Sequence, residues 1–224
     1  MFKVKLIMFD LDGTLVHTAP EIAQAANWML ADLGKPILPI AQVQSYIGEG
    51  AVKLINRCLT ADFHAEPDAK LFETAEKVFF AHYANIVESS KPFAGVQDGL
   101  QAAQNKGYRL ACVTNKPAQF TEPLLKTSGL GDYFEMVVSG DTLAKKKPDP
   151  MQLHHICAQL KVDEFEALLV GDSDTDVNAA RAAGCFIITV PYGYNQGRAI
   201  DENLVDATIN DLTELTNLLT NWLH

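Results

Sequence analysis

The strongest chemical signal in the chain is a pair of carboxylates, Asp10 and Asp12, one residue apart and directly after an apolar run. At the end of a buried strand such a pair can divide the work of phosphoryl transfer, because one carboxylate attacks phosphorus while the other shuttles a proton. Gly13 permits a sharp turn after the pair. An EF-hand calcium loop also begins Asp-x-Asp, but its sixth position requires glycine and holds Leu15 here.

Two weaker polar clusters follow further along the chain. Thr114 and Asn115 come after a second apolar run, where a hydroxyl, backbone N–H groups and the next helix could hold phosphate oxygens. Taken alone, this pair is explained better as a strand end and a helix cap. Lys147 stands just before a predicted helix, with Asp149 as its N-cap and Pro150 at its first position. A lysine there could neutralise phosphate charge, although a single lysine is more often solvated.

A second acidic cluster contains Asp172, Asp174 and Asp176, after another apolar run and at a predicted helix start. Clustered carboxylates at a strand end suit a hard cation that prefers oxygen ligands. The EF-hand alternative fails again, because Val177 holds the glycine position and Ala183 the position of the bidentate glutamate. For Asp174 we favour a helix-capping role.

The elements that must position these clusters are short apolar runs separated by helical stretches. The runs lack clean alternation, as strands buried on both faces do, and the helices end at glycine. This order predicts an α/β fold with a doubly wound parallel sheet, whose site lies beyond the carboxyl ends of its strands. The predicted strands are residues 4–9, 109–113, 136–138, 167–170 and 186–190, and the predicted helices are residues 96–106, 118–128 and 174–183.

Residues 16–90 break the alternation, because they contain helical patterns and no strand candidate. Thr18 and Glu21 match a capping box, and the helix that they open would bury Ile22, Ala26, Met29 and Leu33. We therefore predict a small helical domain of residues 16–90, inserted into an α/β core domain of residues 1–15 and 91–224.

The order paired Asp, Thr-Asn, Lys-Pro, Gly-Asp-Ser-x-x-Asp resembles the four motifs of the haloacid dehalogenase-like hydrolases over essentially the whole chain. The resemblance implies a Rossmann-like core with a helical cap, and a Mg²⁺-dependent phosphate monoester hydrolase that works through an aspartyl-phosphate. By the same resemblance, Asp10 is the nucleophile and Asp12 the general acid and base. The implied ligands are Asp10, Asp12 (through its carbonyl), Asp172 and the nearby Asp176 for Mg²⁺, and Thr114, Asn115 and Lys147 for phosphate.

Further stretches resemble the phosphoglycolate phosphatase branch of these enzymes, which implies 2-phosphoglycolate as substrate. These are residues 46–50, 92–96, 141–144 and 192–197. The chain departs from that pattern at His17, where relatives usually carry Asp, and at Glu49, where they carry a neutral residue. The implied substrate-facing cap residues are Gly48, Glu49 and Gly50, with Lys53 or Arg57 as cationic candidates for the substrate carboxylate; a solvent-facing role is the simpler interpretation of either cation.

Several alternatives stay open at this stage. Within the superfamily, a haloacid dehalogenase does not need Asp12, whereas a phosphotransferase such as β-phosphoglucomutase shares both aspartates and a similar cap. Another small-phosphometabolite phosphatase also fits the motifs. A response-regulator receiver would be about half as long and would lack the cap. A catalytically silent phosphometabolite-binding protein is disfavoured by the intact set of Asp10, Asp12, Lys147 and Asp172.

Composition narrows the partners. The 224 residues carry a net charge of −10, which disfavours binding to nucleic acid and to anionic membranes. The four cysteines form no CxxC pair and no apolar run approaches the ~18 residues of a bilayer span, so we expect reduced thiols, no export signal and a cytoplasmic protein. We expect a small-molecule phosphate monoester as ligand, and a monomer or a homodimer.

Overall fold

The computed structural model describes residues 4–222, and six parallel strands form its main sheet. Their spatial order is β5-β4-β1-β6-β7-β8, with β1 in the interior, and β2 and β3 form a separate antiparallel pair. The predicted fold class is confirmed. The strands are β1 (Leu6–Phe9), β2 (Val16–His17), β3 (Lys91–Pro92), β4 (Arg109–Val113), β5 (Met136–Val138), β6 (Ala167–Gly171), β7 (Phe186–Thr189) and β8 (Ala207–Thr208).

Helices cover both faces of this sheet and also make up most of the interval between β2 and β3. The first four lie in that interval: α1 (Ala19–Asp32), α2 (Ile40–Ser45), α3 (Ala51–Thr60) and α4 (Ala69–Ala84). The other five follow β3: α5 (Val96–Asn105), α6 (Ala118–Thr127), α7 (Met151–Leu160), α8 (Asp174–Ala183) and α9 (Leu215–Trp222). Within the described residues no helix combines the length and apolar character that a bilayer span requires.

Strand β1 explains why the predicted strands have no alternation. Its four side chains are fully buried and point alternately to two apolar clusters, Ile7 and Phe9 to one and Leu6 and Met8 to the other. Each such side chain contributes roughly 1.5–3 kcal/mol relative to an exposed one. Because β1 is paired with β4 on one side and β6 on the other, its carboxyl end is held beside theirs. The three polar clusters that follow these strands therefore meet at one edge.

The expectation that residues 16–90 contain no strand is wrong at the start of that interval. Val16 and His17 pair with Pro92 and Lys91 in a two-residue antiparallel ribbon, which is too short to leave a periodic pattern. The ribbon pairs the segment that leaves the main sheet after β1 with the segment that returns to it before α5. The proposed division into a core domain and a cap domain, with boundaries at residues 15 and 91, stays a prediction.

Two predicted helix starts are also corrected. Thr18 makes no side-chain capping bond, and its buried hydroxyl has no hydrogen-bond partner within residues 4–222. Glu21 instead accepts a hydrogen bond from the Ser90 hydroxyl at 2.8 Å, so it joins the two ends of the helical interval. Helix α7 begins at Met151, so its N-cap is Pro150 and not Asp149 as predicted; Asp149 lies one residue earlier and accepts the Met151 N–H at 3.0 Å.

Candidate active site

Asp10 lies at the carboxyl end of β1, and its nearest cation is Lys147. The Lys147 Nζ is 2.7 Å from an Asp10 oxygen and 2.6 Å from an Asp176 oxygen, and it donates to the Val113 carbonyl at 2.9 Å. Lys147 is 2% exposed, so water barely screens these contacts. One buried ammonium thus joins three of the polar clusters that are far apart in sequence.

Asp10, Asp172 and Asp176 form a compact acidic group. Their carboxylate oxygens lie within 4.8 Å of one another, and all three residues are buried. Three hard oxygen donors at this spacing, with Lys147 as the neighbouring cation, fit a small divalent ion of the Mg²⁺ class. The group is therefore a candidate metal centre.

Hydrogen bonds hold both later aspartates in place. Thr14 donates to Asp172 at 2.8 Å, and the Tyr194 backbone N–H donates to the other Asp172 oxygen. Gly13 has φ +90°, and a Cβ there would lie 2.4 Å from that second oxygen, so the turn requires glycine. Asp176 accepts the Ser173 hydroxyl at 2.7 Å within a capping box that starts α8. Asp174 is the first residue of α8 rather than its cap.

Burial and mutual repulsion raise the pKa of Asp10 and of Asp172. Burial raises the pKa of Asp10 to about 7; the charges of Asp176 and Asp12 add to the shift, and Lys147 opposes it. Burial together with the charges of Asp176 and Asp10 also raises the pKa of Asp172 well above its usual value. Excess negative charge is therefore concentrated where a cation would relieve it.

Asp12 points to a different cation, Lys116, which the sequence analysis missed. The Lys116 Nζ lies 2.9 and 3.1 Å from the two Asp12 oxygens and donates to the Tyr83 hydroxyl at 2.7 Å. Burial disfavours the charged form of Lys116, but Asp12 and Tyr83 outweigh it and raise its pKa, so the amine stays protonated. The clue in the sequence was its position directly after Thr114 and Asn115.

Thr114 and Asn115 follow β4 and are both buried. The Thr114 hydroxyl accepts the Lys116 N–H at 3.1 Å, which leaves its own hydrogen free to donate to a ligand. The Asn115 amide donates to the carbonyls of Gly48 and Lys147 at 3.0 and 2.8 Å. Asn115 therefore joins the helical interval to the main sheet with its side chain, and it does not cap α6, which begins at Ala118.

Gln152 is a further residue that no sequence signal indicated. It is fully buried on α7, and its side-chain oxygen accepts the Lys147 N–H at 3.1 Å. Its amide donates to the carbonyls of Thr114 and Ser139 at 3.2 and 3.0 Å. Gln152 thus fixes the backbone of two site residues at once.

The candidate cap residues in and after the loop at residues 48–50 fall into two groups, those that line the cavity and those that do not. Gly48 and Gly50 line the cavity above Asp10. Glu49 is in an ion pair with Arg57 and accepts from Gln196 at 2.8 Å. Arg57 is buried in this pair, so neither charged side chain lines the cavity.

Lys53 is exposed on α3, and it too is absent from the cavity wall. That wall combines polar groups of the main sheet with apolar side chains of the helical interval. The polar residues that line it are Asp10, Asp12, Thr114, Asn115 and Lys116, and Tyr83 contributes from α4. The two cationic candidates of the sequence analysis therefore lie outside the cavity.

Comparisons with known proteins identify the family of the chain. The profile of the haloacid dehalogenase-like hydrolases matches residues 7–190. Phosphoglycolate phosphatases of Thiobacillus denitrificans and Nitrosospira multiformis are each 49% identical, over 97% and 96% of this chain and 96% of each relative. A crystal structure described as a predicted phosphoglycolate phosphatase from Haemophilus somnus is 31% identical and superposes with a TM-score of 0.89 over 97% of this chain and 99% of that one. The chain therefore belongs to the haloacid dehalogenase-like hydrolase family.

Proposed function

We propose that this hydrolase is a Mg²⁺-dependent phosphoglycolate phosphatase, which converts 2-phosphoglycolate to glycolate and phosphate through an aspartyl-phosphate. The observation that carries the reaction class is the position of Asp10, within 4.8 Å of two further buried acids and paired with Lys147. The substrate rests on the two relatives named phosphoglycolate phosphatase at 49% identity over nearly the full chain.

In the first step an Asp10 oxygen forms a bond to phosphorus while the bond from phosphorus to the ester oxygen breaks. Asp12 gives its proton to the departing alkoxide, which leaves as glycolate. In the second step Asp12 takes a proton from water, whose oxygen attacks phosphorus and releases Asp10. Asp12 contacts Lys116 whereas Asp10 contacts Lys147, so the two carboxylates have separate cationic partners.

Mg²⁺ would be held by Asp10, the backbone carbonyl of Asp12 and Asp172, with Asp176 orienting nearby groups. When bound, the ion neutralises phosphate charge that otherwise opposes attack. The size of that opposition is large: a phosphate dianion about 4 Å from a carboxylate is repelled by roughly 8 kcal/mol at an effective dielectric of 20.

Of the three predicted phosphate-binding residues, two would bind the phosphate directly and the third would hold the site in position. Lys147 supplies a fixed positive charge, and the Thr114 hydroxyl keeps a hydrogen to donate. Asn115 contributes by holding Gly48 and Lys147 in position through its amide, which supports an indirect role for this side chain. The Gln152 side chain holds the backbone of Lys147 and of Thr114 through its hydrogen bonds.

The remaining assignments follow from charge and burial. A net charge of −10 favours a small-molecule partner over nucleic acid or an anionic membrane. Four buried free thiols suit the reducing cytoplasm. The chain would act there as a monomer or a homodimer.

A screen of the purified enzyme against small phosphate monoesters, with and without Mg²⁺, tests the proposal. We expect the highest kcat/KM with 2-phosphoglycolate and no turnover with excess EDTA. Turnover of β-glucose 1-phosphate to the 6-phosphate would instead identify a mutase, and binding of phosphate esters without release of phosphate would identify a silent binding protein.

A further inference from the structure

The cavity above the two N-terminal aspartates contains one basic side chain. Within residues 4–222, Lys116 is the only lysine or arginine that lines it. Much of the rest of the wall is apolar and comes from α1, α3, α4 and α6, for example Ile22, Leu54, Phe79 and Phe120. A ligand with a second negative charge, apart from its phosphate, therefore finds one positively charged partner on this wall.

The cations that the sequence suggested for this task are placed elsewhere. Arg57 is in an ion pair with Glu49 and donates to the Tyr46 carbonyl at 3.2 Å. Lys53 is exposed on α3 and does not line the cavity. Because Glu49 is neutralised by Arg57 and held by Gln196, its carboxylate also faces away from any anion in the cavity.

Lys116 is held at a defined point between the main sheet and the helical interval. Its Nζ contacts both Asp12 oxygens and the Tyr83 hydroxyl, and it lies 4.7 Å from the centre of the Tyr83 ring. Lys116 is only 5% exposed, so its charge is weakly screened. Tyr83, on α4, restricts the ammonium to this position.

The proposed chemistry fixes where a substrate carboxylate must lie. Asp12 has to be within hydrogen-bond reach of the ester oxygen in order to protonate it. In 2-phosphoglycolate a single methylene separates that oxygen from the carboxylate. The cation that contacts Asp12 is Lys116, so Lys116 is also the cation on the cavity wall nearest the substrate carboxylate.

We propose that Lys116, positioned by Tyr83, is the residue that selects substrates with a carboxylate next to the phosphate ester. This inference rests on the proposed phosphatase function and adds the atom that reads the leaving group. Substrate selection would then depend on a residue that follows β4, and not on Lys53 or Arg57, the charged residues after the loop at residues 48–50.

The test compares 2-phosphoglycolate with ethyl phosphate, which replaces the carboxylate by a methyl group. For Lys116→Gln we expect kcat/KM to fall roughly ten- to hundredfold more for phosphoglycolate than for ethyl phosphate, the usual range for a lost charge-assisted hydrogen bond. Lys116→Arg keeps the charge and should restore part of the preference. Tyr83→Phe should also lower kcat/KM more for phosphoglycolate, mainly through KM, and it keeps the ring that packs against Phe79 and Phe120.

Equal losses on both substrates in Lys116→Gln would overturn the inference, because Lys116 would then act only through Asp12. If that variant does not fold, equal losses in Tyr83→Phe would overturn it in the same way. A wild-type enzyme that hydrolyses both esters equally well would instead overturn the proposed substrate, so the two failures are distinguishable.

Discussion

The imidazole Nδ1 of His17 lies 2.7 Å from the phenolic oxygen of Tyr194. His17 belongs to the two-residue ribbon at the base of the helical interval, whereas the Tyr194 backbone N–H donates to Asp172. The same hydroxyl accepts the Ala19 N–H at 3.1 Å, at the first residue of α1. One tyrosine therefore connects the ribbon, the first helix and the acidic group.

This connection predicts the effect of Tyr194→Phe. Loss of the hydroxyl leaves two polar partners without their hydrogen bond, so the free energy of unfolding should fall by about 1–3 kcal/mol. Urea unfolding measures it. Tyr133→Phe is the control, because the partly buried Tyr133 lies between α6 and β5 and does not line the cavity, so its unfolding midpoint should stay unchanged. An equal effect in both variants would contradict the structural role of the Tyr194 hydroxyl.

Asp10→Asn tests the nucleophile. An amide cannot form the aspartyl-phosphate, so kcat should fall at least about 10⁴-fold, as losses of nucleophiles do in other enzymes. Asp174→Asn is the control, because Asp174 is a surface partner of Arg198 although it stands in the same acidic cluster as Asp172. We expect less than a threefold change for the control. A fall in kcat of less than about a hundredfold in Asp10→Asn would refute the assignment.

Metal removal should change stability in a pH-dependent way. Without metal, the raised pKa values of Asp10 and Asp172 mean that the folded protein holds more protons than the unfolded chain between about pH 4 and pH 7. That contribution to stability is present below the unfolded pKa and is lost as the pH rises through the folded value. The Tm of the metal-free protein should therefore fall between pH 5 and pH 8.

Mg²⁺ should restore the lost stability at the higher pH. At a concentration a hundredfold above Kd, binding adds about 2.7 kcal/mol, which corresponds to a rise of roughly 5–10 °C in a chain of this size. At pH 5, where protons compete for the carboxylates, the rise should be smaller. Thermal scans with EDTA and with Mg²⁺ measure both effects. Asp172→Asn should abolish the response, and an unchanged Tm in the wild type would exclude a metal site here.

Substitutions of Lys53 and Arg57, the two cationic cap candidates, should have different effects on KM and on stability. Lys53→Ala should leave stability and KM unchanged, because this side chain is exposed and lies outside the cavity. Arg57→Ala leaves Glu49 without its ion partner near the cavity and empties a buried position, so KM for phosphoglycolate should rise and unfolding should become easier by about 1–3 kcal/mol. In the double variant Arg57→Ala with Glu49→Gln, KM should return part of the way to the wild-type value. No recovery in the double variant would rule out Glu49 as the cause.

Much of the fold was predictable because its signals are local. Strand β1 is buried on both faces, so its apolar run needed no information from the rest of the chain. Asp10 and Asp172 were recognisable for the same reason, because each follows such a run directly. The capping box at Thr18 was a misleading local match, since Glu21 found a better partner in Ser90, 69 residues away.

The amino-acid sequence by itself determined five of the six strands of the main sheet in their order along the chain, the chemical types at their ends and the family. Only the tertiary structure decided which partners those groups have: Lys116 for Asp12, 104 residues apart, Arg57 for Glu49, and Tyr194 between the ribbon and the acidic group. Local patterns report burial and backbone preference, whereas a contact between distant residues depends on how whole elements pack, and no spacing along the chain encodes that distance.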